Sequence, residues 1–179
     1  MRTFFVLSRL ACCAAASLVL VHMRAAAADA PPAATAAKAA ASSRAPDASE
    51  RAAMLDILKG EAAPERAAWF AYMAGSAAGN ALADALAATF REAGWKVQVQ
   101  ALSGMALKPG ISVLLADEQP PAFAETALRA MQASGIDVKS ASGYKPYYDE
   151  KKAENPNWPG VPLAKDAAFV IVVGPEPKS

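Results

Sequence analysis

The chain's whole supply of thiol and imidazole is Cys12, Cys13 and His22, all within its first 22 residues. That stretch has the layout of an export signal, so the mature protein is expected to carry neither group. Thiolate nucleophiles, histidine general bases and sites built on Cys or His ligands all need them. Haem, iron–sulfur and His-ligated zinc are therefore excluded for the mature chain, and no catalytic residue and no metal site is assigned. What remains is the chemistry of hydroxyls, amines and carboxylates. Ser103-Gly104-Met105 with Lys108 leaves a Ser–Lys dyad open. Asp117-Glu118 and Asp149-Glu150 are paired carboxylates, but glycosidic chemistry needs two acids about 5–9.5 Å apart across a cleft. Acids adjacent in sequence usually point apart, and the first pair suits the start of a helix electrostatically. No EF-hand loop, P-loop or full dinucleotide fingerprint occurs, so no cofactor is expected.

Two segments have the composition of binding sites. Gly75, Ser76, Gly79 and Asn80 fall in the run Gly75-Ser76-Ala77-Ala78-Gly79-Asn80, between an expected strand and an expected helix. Amides at such a helix start can hold an anion; the plain alternative is a tight turn with Ser76 as the helix cap. The second segment, residues 142–165, holds Tyr144, Tyr147 and Tyr148, three of the four tyrosines, together with Trp158. Lys145, Asp149, Glu150, Lys151, Lys152 and Glu154 surround them, and Pro146, Pro156 and Pro159 stiffen the chain. Aromatic rings on a stiff loop offer contact area at low entropic cost, which suits a glycan or a protein. The alternative is a lid whose rings fold back over a sheet edge.

The elements that must position these residues form a repeat. Trp69–Met73 is an expected strand, followed by a Gly-containing loop, a helix to Ala93, and Gly94-Trp95-Lys96-Val97. Ile111–Leu115 is the second, followed by a Pro120-Pro121 loop, a helix to Ser134, and Gly135-Ile136-Asp137-Val138. Leu82, Leu86 and Phe90 mark the buried face of the first helix; Ala124, Leu128 and Met131 mark that of the second. Pro121 suits the first turn of its helix, and Gly94 and Gly135 suit left-handed stops. Trp95–Gln100 and Ile136–Ser140 alternate as half-buried strands do. Phe169–Val173 is apolar throughout and reads as an inner strand covered on both faces, or as one covered by the preceding linker. The expected class is α/β (α+β): two strand-helix-strand repeats in a ferredoxin-like sheet with helices on one face and an added fifth strand. The strand order is left open by this reading.

Residues 1–28 place Arg2 and Arg9 before an uncharged run, Leu10–Val21, and end in four alanines. Basic, apolar, small is the order of a signal peptide; the run is short for a spanning helix, although an uncleaved membrane anchor is the alternative. Residues 29–49, rich in Ala and Pro, are expected to be a disordered linker. A short helix follows over Glu50–Leu58, opening an α/β domain that spans 50–179. The chain carries a formal charge of +1; without Arg2, Arg9 and Arg24 it has 15 basic and 17 acidic residues, a net of −2. Nucleic acid is therefore not an expected partner.

The run Ala71-Tyr72-Met73-Ala74-Gly75-Ser76-Ala77-Ala78-Gly79-Asn80-Ala81-Leu82-Ala83, followed by Ala93-Gly94-Trp95-Lys96-Val97, resembles the C-terminal domain of LytR-type cell-wall proteins. The match covers about 30 residues, Ala71–Val97. That domain has a strand, Asn-Gly-Ser/Thr-Gly, Gly-Leu-Ala, a helix, then Gly-aromatic-x-Val. This chain has Ala74 where the Asn stands, and Asn80 follows Gly79. The resemblance implies an exported, envelope-bound and non-catalytic module.

The sequence thus points to a periplasmic or secreted protein, or one anchored in the inner membrane. Its partner is expected to be an envelope protein or a cell-wall polymer, met through Tyr144, Lys145, Tyr147, Tyr148 and Trp158. Two other readings stand beside it. One is a small periplasmic hydrolase using carboxylates or Ser and Lys. The other is a structural subunit of an envelope complex, with Phe169–Val173 as a shared strand.

Overall fold

A computed structural model describes residues 44–175. The expected export signal and most of the expected linker lie outside the described residues. The domain starts with helix α1, Ala48–Lys59. Asp47 caps it: its carboxylate accepts the Ser49 and Glu50 amides, while Glu50 accepts the Asp47 amide at 2.8 Å. This reciprocal box satisfies the helix's first free donors. Then follow β1 (Ala67–Met73), α2 (Ala77–Glu92), β2 (Lys96–Leu102), β3 (Ile111–Leu115), α3 (Ala122–Ala133), β4 (Val138–Ala141), α4 (Tyr144–Glu154) and β5 (Phe169–Val173).

The two repeats are present, and their helices stop as glycine requires: Gly94 and Gly135 have φ of 83° and 75°. Pro121 stands one residue ahead of α3, at the cap. The sheet is mixed and five-stranded, in the order β2-β1-β5-β3-β4. Within each repeat the two strands are parallel neighbours; a split unit would place another strand between them. β5 joins the repeats, parallel to β1 and antiparallel to β3. Its composition fits an inner place. All five residues are buried, and only an inner strand with both faces covered can hide an unbroken apolar run. With a neighbour on each side, β5 has no free edge to share with a second protein, which corrects the expectation of a shared strand.

The alternation of each strand divides the core in two. Phe70, Ile111, Val113, Phe169, Ile171 and Val173 face α1, α2 and α3 together with Leu82, Leu86, Phe90 and Met131. An edge-to-face ring chain crosses this side: Phe70 to Phe90 at 5.3 Å, Phe90 to Trp95 at 5.2 Å, Trp95 to Phe123 at 6.1 Å. The buried Trp95 indole donates to the Leu58 carbonyl at 3.2 Å, tying α1 to the first repeat. On the other face, Ala71, Leu102, Val161, Val170 and Val172 form a smaller core. Met105, Leu107, Tyr144 and Leu163 pack over it.

Candidate functional site

The segment 142–165 is built around a helix. Gly143, with φ of 66°, turns the chain out of β4, a conformation that only glycine adopts without strain. Tyr144, Lys145 and Pro146 then open α4, where the amide that proline lacks would have had no helical partner anyway. The backbone anchors this start to the sheet: the Lys145 amide donates to the Ala116 carbonyl at 3.0 Å.

Helical spacing brings the aromatic residues together. Tyr144 lies 6.3 Å from Tyr147 and 6.1 Å from Tyr148, ring centre to ring centre. After α4 a turn, closed by the Trp158 amide on the Asn155 carbonyl, returns Trp158 onto the helix. Its ring meets Tyr147 edge-on at 5.6 Å and Tyr148 at 5.8 Å. Gly160 is required here, because a side chain at that position would run into the Trp158 ring. Lys151 and Lys152, one helical turn beyond Tyr147 and Tyr148, lie 5.9 and 5.8 Å from the respective ring centres. A cation at that range is attracted to the ring face.

The four rings have different roles in packing. Tyr144 faces inward onto the smaller core, and burial pushes its hydroxyl up to about 12 against the opposing effect of the Val161 amide. Tyr148 and Trp158 are half-buried. Tyr147 is 47% exposed, the exposed large apolar side chain among the described residues. Lys145 is tied down, its ammonium donating to the Lys165 carbonyl at 3.3 Å. The segment is thus a cover for the sheet and, at Tyr147, a surface. Lys151 and Lys152 join the candidate residues. The Tyr147–Lys151 and Tyr148–Lys152 spacings carry that signal in the sequence, once the segment is read as a helix.

The second candidate lies elsewhere, at the carboxyl end of β1. Tyr72, Gly75, Ser76, Ala77 and Asn80 line an open depression of about 290 Å³. Ser76 caps α2, its hydroxyl accepting the Gly79 amide at 3.0 Å. Gly79 is buried, and a Cβ there would crowd that hydroxyl. One donor of the helix start is therefore already occupied by the chain itself. Ser103, Lys108, Asp117, Glu118, Asp149 and Glu150 are all exposed. Glu118 accepts a long hydrogen bond from Ser142 at 3.4 Å. Among the described residues, no group of three or more His, Cys, Asp or Glu could hold a metal ion.

No family model, no curated protein and no solved structure matches the chain.

Proposed function

We propose that this protein is an exported, non-catalytic binding module of the bacterial cell envelope. Its contact surface is the aromatic cluster of α4 and Trp158, centred on Tyr147. One observation carries the reading: a large aromatic side chain stands 47% exposed on a base of three other rings. Rigid rings with a polar tip are the residues that dominate contact surfaces. Lys151 is paired with Glu154 at 2.7 Å and Lys152 donates to the Pro156 carbonyl at 3.0 Å, so the rings, and not free charge, carry the contact. The apolar, arginine-flanked first 28 residues and the likeness of Ala71–Val97 to a cell-wall module support an envelope setting. The partner class is an envelope protein or a cell-wall polymer.

The test is photo-crosslinking in the living cell from a probe at position 147, followed by envelope fractionation. A discrete larger band, or retention on the cell-wall polymer, is the expected result and separates the two partner classes. Labelled monomer alone would overturn the reading and leave α4 as a cover only.

A further inference from the structure

We propose that two copies of this chain pair through β2, edge to edge and antiparallel, into one ten-stranded sheet.

Among the described residues, the sheet order leaves β2 and β4 as its two edges. Open edges are templates for pairing, and folds that stay single blunt them with short strands, charge, proline or bulges. β4 is blunted: it has four residues and carries Lys139. β2 is not. It runs seven residues, Lys-Val-Gln-Val-Gln-Ala-Leu, with one charge at its first position and no proline. It pairs with β1 in unbroken register from Lys96 to Leu102, with no bulge.

The hydrogen-bond parity says which groups are on offer. The Lys96 amide donates to Arg66, and the Leu102 carbonyl accepts from Ala74, so both point toward β1. Successive residues of a strand direct their amide and carbonyl to opposite sides. Lys96, Gln98, Gln100 and Leu102 therefore bond inward. The amides and carbonyls of Val97, Val99 and Ala101 face the open edge.

This set is self-complementary about Val99, as a two-fold interface requires. In an antiparallel pair, Val99 exchanges both bonds with Val99 of the second copy, and Val97 does so with Ala101. Every outward amide and carbonyl of the strand is then used. On one face Gln98 meets Gln100; on the other, valines meet valine and alanine. The lone charge, Lys96, stands opposite Leu102, so no like charges oppose each other. Valine and its β-branched kind are also the residues that strand pairs favour. A two-fold axis normal to the sheet keeps each copy's faces aligned. Both aromatic clusters then lie on the same side of the joined sheet.

The test uses the protein as its host processes it. Sedimentation equilibrium from low micromolar concentration upward is expected to show a reversible monomer–dimer equilibrium. Hydrogen exchange is expected to show protection of the Val97, Val99 and Ala101 amides that is lost on dilution. Val99→Pro removes an outward donor that β1 does not use, and proline is tolerated on an edge. It should leave a folded monomer by circular dichroism; Ala101→Pro gives the same reading if V99P fails to fold. A monomer at every concentration would overturn the proposal. So would a V99P dimer, or protection of the three amides that is independent of concentration, which would mean that the edge is covered within one chain.

Discussion

Trp158→Ala separates the covering role of the aromatic segment from its exposed surface. The ring makes two edge-on contacts, with Tyr147 at 5.6 Å and Tyr148 at 5.8 Å. Such pairs add about 0.5–1.5 kcal/mol each beyond the area they bury. Truncating a fully buried tryptophan costs about 3–5 kcal/mol. Trp158 is half-buried, so the loss should fall near 2–3 kcal/mol. For a domain of this size that lowers the thermal midpoint by about 10 °C. Tyr147→Ala is the control. It removes ring contacts to Trp158 and Tyr144 and the Lys151 interaction, but from a side chain already 47% exposed with little buried area to lose, and should cost about 1 kcal/mol. Urea unfolding followed by tryptophan fluorescence and circular dichroism measures both. A Trp158→Ala loss below about 0.5 kcal/mol would refute the claim that this ring holds the segment on the sheet. Equal losses for the two variants would refute the claim that Tyr147 is free to meet a partner.

Three further outcomes are expected. Gly174→Ala should destabilise the domain by about 1–3 kcal/mol, the range for overpacking, because the new methyl would meet the Lys108 backbone carbonyl; its urea midpoint reads this directly. Glu61 is held below the ordinary carboxylate value, first by the Thr126 hydroxyl and then by the Ala63 amide. A depressed folded pKa gives stability that is present above the unfolded value and lost as pH falls through the folded one. Thr126→Val should therefore reduce the difference in urea midpoint between pH 7 and acid conditions below the ordinary value of 4.5. Tyr144 titrates at about 12 rather than 10. Its folded value is raised, so the cover loses stability as pH rises from the unfolded value through the folded one. Absorbance titration should show one late tyrosine that disappears in Tyr144→Phe.

The elements most legible in the sequence were those where one physical requirement dominates. Gly94 and Gly135 stop their helices because a left-handed residue is needed there, and Leu82, Leu86 and Phe90 have no other face to bury. The five apolar residues of β5 announced burial on both sides. Its position between the repeats was not legible, because strand order depends on which surfaces remain to be covered once both repeats have formed. The helix α4 was hidden by its own composition. Tyr144, Tyr147, Tyr148 and Lys151 do fall at helical spacing, but tyrosine and lysine are not a conventional apolar stripe. Pro146 and the later prolines also suggested an irregular loop. The aromatic residues were legible as a group, whereas the division of labour among them was not. Only packing onto Val161, Val170 and Val172 distinguishes the inward Tyr144 from the outward Tyr147.

The two faces of the sheet are unequally insulated. Among the described residues, three helices and most of the buried apolar side chains lie on one side; the strip around α4, with Met105 and Leu107 beside it, closes the other over only a few. Protection from solvent is correspondingly graded, since regions with few buried contacts open first and at lower free energy. The α4 strip is therefore expected to open at lower free energy than the helical layer, wetting the alternate residues of the central strand. A ligand gripping Tyr147 and Trp158 would hold that strip down. Occupancy at the surface would then register as slower solvent entry at Val170 and Val172, so the middle of the sheet can report on an event at its outermost layer.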